Sequence, residues 1–143
     1  MRPMQYFLAF LGVVALAFAA HAGSADDDDV PMDPALKLRL EFQTEPKGAD
    51  DVHAFFVRFA RVEGLSFEDA GAKMPPKDGR SILFLALRKG DSIKVIVTNV
   101  VKIDQFLVAA YEYKPEASFD GIATRLTAQL KEKWPSTKPY KGL

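Results

Sequence analysis

The stretch Ser81–Tyr113 reads SILFLALRKGDSIKVIVTNVVKIDQFLVAAYEY and contains three apolar or β-branched runs separated by two turns. Each run has the length of a strand rather than that of a helix. Arg88–Asp91 contains a glycine suited to a hairpin turn, and Lys102–Gln105 supplies the second turn. The stretch therefore predicts three consecutive strands, which are Ser81–Arg88, Ile93–Thr98 and Phe106–Tyr113.

Two of these strands carry apolar residues on both faces. In Ser81–Arg88, Phe84 and Leu85 point to opposite sides, as Phe106 and Leu107 do in the last strand. We expect Phe84 to face the helices, because large aromatic side chains usually pack beneath helices in layered folds. Leu85 would then lie on the other face, where something besides the helices must cover it.

Upstream of this stretch, the sequence predicts one strand and one helix. Leu36–Gln43 alternates strictly between apolar and polar residues, which is typical of a strand with one buried face. Asp50 suits the start of a helix and Gly64 suits its end. The apolar stripe expected on that helix consists of Val52, Phe55, Phe56, Phe59 and Val62.

Downstream, Pro115 ends the last strand and Ser118 is placed to cap a second helix that Pro135 ends. Its apolar stripe consists of Phe119, Ile122, Ala123, Leu126, Leu130 and Trp134. The element order is thus β-α-β-β-β-α. It predicts an α+β two-layer sandwich with a four-stranded, mainly antiparallel sheet and two helices on one face.

The N-terminal residues have the pattern of a signal peptide. Tyr6–Ala20 is a run of 15 apolar or glycine residues, shorter than the roughly 20 that a spanning helix needs. Small residues at Ala20 and Ala22 suit cleavage before Gly23. We therefore expect export to the periplasm or the extracellular space, with no membrane span after cleavage; an uncleaved anchor is the alternative.

The rest of the chain divides into three segments. Residues 23–33 form an acidic leader whose Asp26–Asp29 block lacks the spacing and glycine of a calcium loop. Residues 34–135 are expected to form a single α+β domain. Residues 136–143 form a basic tail, which we expect to be frayed.

Composition excludes several classes of function. The 143 residues contain 19 basic and 19 acidic side chains, which argues against a nucleic-acid binder. They contain no cysteine, so thiol chemistry and cysteine-ligated metals are excluded. After cleavage His53 is the remaining histidine, and neither a nucleophile elbow nor a phosphate-binding glycine motif is present. We therefore predict no catalytic residues, no metal and no cofactor.

Two weaker candidates for a functional site are one acidic residue and one loop. Glu112 lies within a predicted strand, yet its place at the strand end favours contact with water over a catalytic role. Leu65–Arg80 is a long connection, and such connections are often functional. Its basic residues Lys73, Lys77 and Arg80 form a candidate binding loop, although a solvated loop over one sheet edge is the favoured interpretation.

The feature that points to function is the second apolar sheet face. Candidate binding residues on the strands are Leu83, Leu85, Leu87, Leu107, Tyr111 and Tyr113. An apolar face left free by the helices usually marks an interaction site. The leading hypothesis is a non-catalytic module that binds a protein partner or forms a homodimer. A carrier of an apolar ligand in a cavity between the sheet and the C-terminal helix is the second hypothesis. A small hydrolase with unidentified carboxylates is the third.

Overall fold

The computed structural model describes residues 33–73, 83–99 and 104–141. The predicted signal peptide, nearly all of the acidic leader, and two residues of the basic loop, Lys77 and Arg80, lie outside these ranges. The helices and strands of the described residues belong to the unit Pro34–Tyr140. Within the described ranges, no helix has the length and apolar character needed to cross a membrane.

The sheet has six strands, not the four predicted. They run in the spatial order β2-β3-β4-β5-β1-β6, and every neighbouring pair is antiparallel. The strands are β1 (Leu36–Gln43), β2 (Ser66–Asp69), β3 (Phe84–Lys89), β4 (Ile93–Asn99), β5 (Gln105–Glu112) and β6 (Lys138–Pro139). The α+β class is confirmed, but the β-α-β-β-β-α order omits β2 and β6.

Both missed strands lie at the sheet edges, and their sequences do not look like strands. Ser66–Asp69 begins with a residue suited to a helix cap, so its sequence favours a helical turn over a strand. Lys138–Pro139 has only two residues, and its proline lacks the N–H of a central strand. In both cases pairing with a neighbouring strand decides the conformation.

The two predicted helices are confirmed as α1 (Ala49–Glu63) and α2 (Phe119–Lys133). Gly64 ends α1 with a φ of +74°, as its position predicted. The N-cap of α1 is Gly48 rather than Asp50, because Asp50 already lies inside the first turn. Val62 is 70 % exposed, so the apolar stripe of α1 ends at Phe59 and Ala60.

The core lies between both helices and one face of the sheet, which we call the core face. Leu85 and Leu87 are fully buried there, and Phe84 is only half-buried on the opposite side. The expectation that Phe84 faces the helices is therefore wrong. Aromatic side chains from other elements fill the space beneath the helices: Phe42 stacks on Trp134 at 4.6 Å, between ring centroids.

The chain after α2 is ordered through Tyr140, where the sequence predicted fraying. The Ser136 hydroxyl accepts the Gln43 backbone N–H at 2.9 Å. The buried Thr137 hydroxyl donates to the Trp134 carbonyl at 2.7 Å, which satisfies a free acceptor near the end of α2. Lys138–Pro139 then pairs with β1. Hydrogen bonds, rather than apolar pattern, hold this segment, so hydrophobic periodicity could not reveal it.

Candidate functional site

The second face of the sheet points away from both helices. Its centre is a group of five residues, which we call the outer strip: Ala86, Ile96, Thr98, Leu107 and Ala109. Strand register makes the strip continuous, with Ile96 opposite both Ala86 and Ala109. All five are buried, with 1–8 % of their surface exposed. The four apolar members lie outside the core cluster that contains the buried residues of both helices, so the helices do not explain this burial.

One end of the outer strip is bordered by cations and aromatic rings. Arg88 lies opposite Lys94, and Lys94 lies opposite Tyr111; we call Arg88 and Lys94 the cationic rim. The Arg88 guanidinium donates to the Glu68 carboxylate at 3.1 Å. The Tyr111 ring stacks on that of Tyr113 at 5.6 Å, and Tyr113 is 47 % exposed. This end of the face therefore joins an apolar centre to groups that attract anions.

The other end of the strip carries no such cluster among the described residues. Phe84 lies opposite Thr98 there, and Glu41 lies opposite Leu107. The Gln105 side-chain amide donates to the Glu41 carboxylate at 3.2 Å. The charges on the outer face are therefore unevenly distributed, with the positive groups concentrated near Tyr111.

The structure divides the predicted apolar surface between the two faces. Leu107 and Tyr111 lie on the outer face. Three other members, Leu83, Leu85 and Leu87, belong to the core cluster. Ala86, Ile96 and Ala109 had not been singled out as binding residues. The signal that could have found them is parity: residues that alternate with core residues along β3, β4 and β5 must share the other face.

The candidate basic loop is described only at its start. Lys73 is the last residue of a 3₁₀ segment, Ala70–Lys73, that follows β2. Lys77 and Arg80 lie outside the described residues, so the grouping of the three basic residues stays a prediction.

Glu112 lines an open pocket of about 550 Å³ beside α2. Asp120 and Lys37 line the same pocket, so two carboxylates and one ammonium face this space. One Glu112 carboxylate oxygen accepts the Glu116 backbone N–H at 3.0 Å. Glu112 therefore stabilises the connection between β5 and α2, in addition to facing the pocket.

His53 lies on α1 and pairs with Asp69 of β2. Its Nε2 is 3.3 Å from the Asp69 carboxylate, and its ring contacts the edge of Phe67 at 5.3 Å between centroids. A catalytic triad would add a nucleophile to such a pair. The hydroxyl of Ser66, in the same strand, lies on the opposite face from the Asp69 side chain. It donates to the Arg88 backbone carbonyl. The His53–Asp69 pair therefore joins α1 to β2 at the edge of the sheet.

A polar network supports the strand ends next to the cationic rim. Lys89 donates to the Glu116 carboxylate at 3.1 Å and to the Ser118 hydroxyl at 2.9 Å. These contacts join the end of β3 to the connection that precedes α2. The hydrogen bond from Lys89 is the main cause that lowers the pKa of Glu116, followed by the hydrogen bond from Ser118.

Metal ligands are not clustered in the part of the chain that the structure describes: no group of three or more His, Cys, Asp or Glu side chains could hold an ion there. Comparison with family models, curated proteins and solved structures finds no match for this chain. The functional argument therefore rests on the geometry of the outer face.

Proposed function

We propose that this protein is an exported, non-catalytic interaction module that binds a protein partner through the outer strip and the cationic rim. One observation carries the proposal. Four apolar residues are buried on a sheet face to which neither helix contributes its apolar stripe.

The chemistry of the face indicates what the partner presents. The outer strip suits a segment with apolar side chains, because Ile96 lies opposite both Ala86 and Ala109 in one apolar row across three strands. The cationic rim suits acidic groups beside that segment, because complementary charges set the orientation of a complex. We therefore propose an acidic partner segment that contains apolar residues.

Two alternatives have less support. A carrier of an apolar ligand would need an apolar space between the sheet and α2, but the pocket there is lined by the charged residues Lys37, Glu112 and Asp120. A hydrolase could use Glu112 and Asp120, which line one pocket. The bond that Glu112 already accepts from the connection before α2 favours a structural role for that carboxylate.

Charge reversal on the rim tests the proposal. Lys94→Glu should weaken partner binding by about tenfold, equivalent to about 1.4 kcal/mol, because it places an anion against an acidic partner. Lys131→Glu makes the same change on the exposed side of α2 and should leave binding intact. Capture from an extract of the compartment where the protein is found, together with thermal melting, compares the two variants with the parent protein.

Sedimentation of the purified protein distinguishes a second copy from another partner. A dimer that Lys94→Glu dissociates would identify the partner segment as part of a second copy of this chain. If both variants capture the same proteins as the parent, and sediment as it does, the outer face is not the binding surface.

A further inference from the structure

A β-bulge near the start of β1 turns Lys37 toward α2. Leu36 lies opposite Tyr111 and Leu38 lies opposite Ala110, so two steps along β1 match one step along β5. Strict alternation would place Lys37 and Leu38 on opposite faces of the sheet, yet both line the pocket beside α2. Bulges commonly re-aim a side chain next to a functional site. The irregular backbone of β1 therefore adds a cation to this pocket.

We call this space the α2 pocket. Its polar lining consists of Lys37, Glu112, Asp120 and Thr124. Its volume of about 550 Å³ lies within the range of pockets that bind small molecules. Every residue that lines it belongs to the unit Pro34–Tyr140. The α2 pocket is thus a space of ligand size between β1, the end of β5 and the start of α2.

The charges in the α2 pocket do not neutralise one another. Within residues 33–73, 83–99 and 104–141, Lys37 and Asp120 form neither an ion pair nor a side-chain hydrogen bond. Glu112 accepts the Glu116 backbone N–H through its Oε2 atom, which leaves its Oε1 atom for a second donor. The pocket therefore presents an ammonium group on β1 and carboxylate oxygens on β5 and α2.

The rest of the lining is apolar. Phe119 belongs to the hydrophobic core, and the partly buried side chains of Leu38 and Ala123 pack against that core. Ligand pockets usually combine such apolar walls with a few polar groups that fix the orientation of the ligand. A ligand that matches this lining carries hydrocarbon as well as charges of both signs.

We propose that the α2 pocket binds a small zwitterion with an apolar side chain, either a free amino acid or a short peptide. The ammonium group of the ligand donates to the Glu112 and Asp120 carboxylates, and the Lys37 ammonium donates to the carboxylate of the ligand. Charge-assisted hydrogen bonds of this kind are stronger than those between neutral groups. The apolar side chain of the ligand packs against the apolar wall of the pocket.

The lining disfavours ligands that lack one of these features. An apolar ligand would remove water from three charged groups without replacing their hydrogen bonds, which is costly. An anion without an amine would face two carboxylates, and an amine without a carboxylate would leave Lys37 facing another cation. The α2 pocket and the outer strip lie on opposite faces of the sheet, so this inference goes beyond the proposed partner function and does not depend on it.

Three related probes test the two charges of the ligand separately. L-Leucine carries both charged groups, isopentylamine lacks its carboxylate, and isocaproate lacks its ammonium group. In an NMR titration of the protein as purified from cells, we expect leucine to shift the backbone amide signals of Ala123 and Thr124 but not that of Ile96 on the outer face. Each analogue should bind about tenfold more weakly than leucine, because it loses the charge-assisted hydrogen bonds at one end.

Two variants assign these contacts to their residues. Lys37→Gln should lower the affinity for leucine to that for isopentylamine, because the variant no longer pairs with the carboxylate. Asp120→Asn should weaken the binding of leucine and of isopentylamine alike. Lys131→Gln removes the same charge as Lys37→Gln from the exposed side of α2 and should bind like the parent protein. Thermal melting compares the stability of the three variants.

A fourth probe, leucylleucine, distinguishes the two sources of the zwitterion. Tighter binding of leucylleucine than of leucine identifies a peptide as the ligand, and the reverse order identifies a free amino acid. Unchanged Ala123 and Thr124 signals with either zwitterion at about 10 mM, about ten times a Kd of 1 mM, overturn the proposal. Isopentylamine that binds the parent protein as tightly as leucine also overturns it, since Lys37 would then contribute nothing. Both results come from the parent protein, so they do not depend on the folding of any variant.

Discussion

At the scale of single residues, the position of Leu85 shows which face of the sheet packs against the helices. Leu85 and Phe84 are neighbours in β3, and their side chains point to opposite faces. Leu85 is fully buried beneath the helices, and half-buried Phe84 lies opposite Thr98 on the outer face. The expectation that the larger side chain faces the core fails because Phe42, Phe106 and the α1 phenylalanines already fill it.

We predict that Leu85→Lys and Phe84→Lys differ strongly in stability. Leu85→Lys buries an unpaired ammonium in the core and should cost about 3–5 kcal/mol. Phe84→Lys should cost far less, because a lysine side chain at this half-buried position can extend its charged end into water. Urea unfolding of both variants measures the difference. Equal losses would mean that the two faces of β3 are equally buried.

At the scale of elements, an ion pair joins the two helices. The Arg125 guanidinium of α2 donates two hydrogen bonds to the Glu63 carboxylate at the end of α1, both at 2.7 Å. The Glu63 side chain is only 6 % exposed, whereas Arg125 is 52 % exposed. The hydrogen bond from Arg125 is the main cause that lowers the pKa of Glu63 from its usual 4.5. Its ionised form therefore stabilises the folded state.

This pairing makes the effect of Arg125→Gln depend on pH. Because the folded pKa of Glu63 is lowered, the pair's contribution is present above pH 4.5 and is lost as pH falls through the folded pKa. We expect the variant to be less stable than the parent at pH 7 and to differ less from it at low pH. Arg61→Gln, on the exposed side of α1, is the control. Thermal melting at pH 7 and at about pH 3 measures this; a loss independent of pH would assign another role to Arg125.

The sequence predicted elements well where apolar periodicity defined them. Leu36–Gln43 was predicted with the bounds that β1 has, and Gly64 marked the end of α1. It failed for β2 and β6, which are edge strands without an apolar pattern. The outer strip was found only in part, since Ala86 and Ala109 are too small to stand out as binding residues.

At the scale of the whole molecule, β1 occupies an interior position between β5 and β6. Its backbone pairs with Gln105–Glu112 on one side and with Lys138–Pro139 on the other. Past β6, the Tyr140 backbone N–H donates to the Arg39 carbonyl at 3.1 Å. The C-terminal residues therefore cover the edge that β1 would otherwise expose.

We predict that a chain ending at Pro135 is clearly less stable than one ending at Tyr140. The shorter chain loses the Ser136 and Thr137 hydrogen bonds as well as the pairing of β6. A loss of about 2 kcal/mol would lower the melting temperature by roughly 8–16 °C in a domain of this size. The chain ending at Tyr140 lacks only residues 141–143 and should melt like the parent. Equal melting of the two shortened chains would show that β6 contributes nothing to stability.

The interior position of β1 also has a kinetic consequence. Glu41 contacts Gln105, which is 64 residues later in the chain, and Gln43 contacts Ser136, which is 93 residues later. Contacts of such high sequence separation form late and fold slowly, because the loop must close before they stabilise anything. During synthesis at about 5–20 residues per second, β1 therefore waits several seconds or more for its neighbours. Throughout that interval β1 lacks both of the strands that flank it, so the nascent chain cannot complete the native sheet.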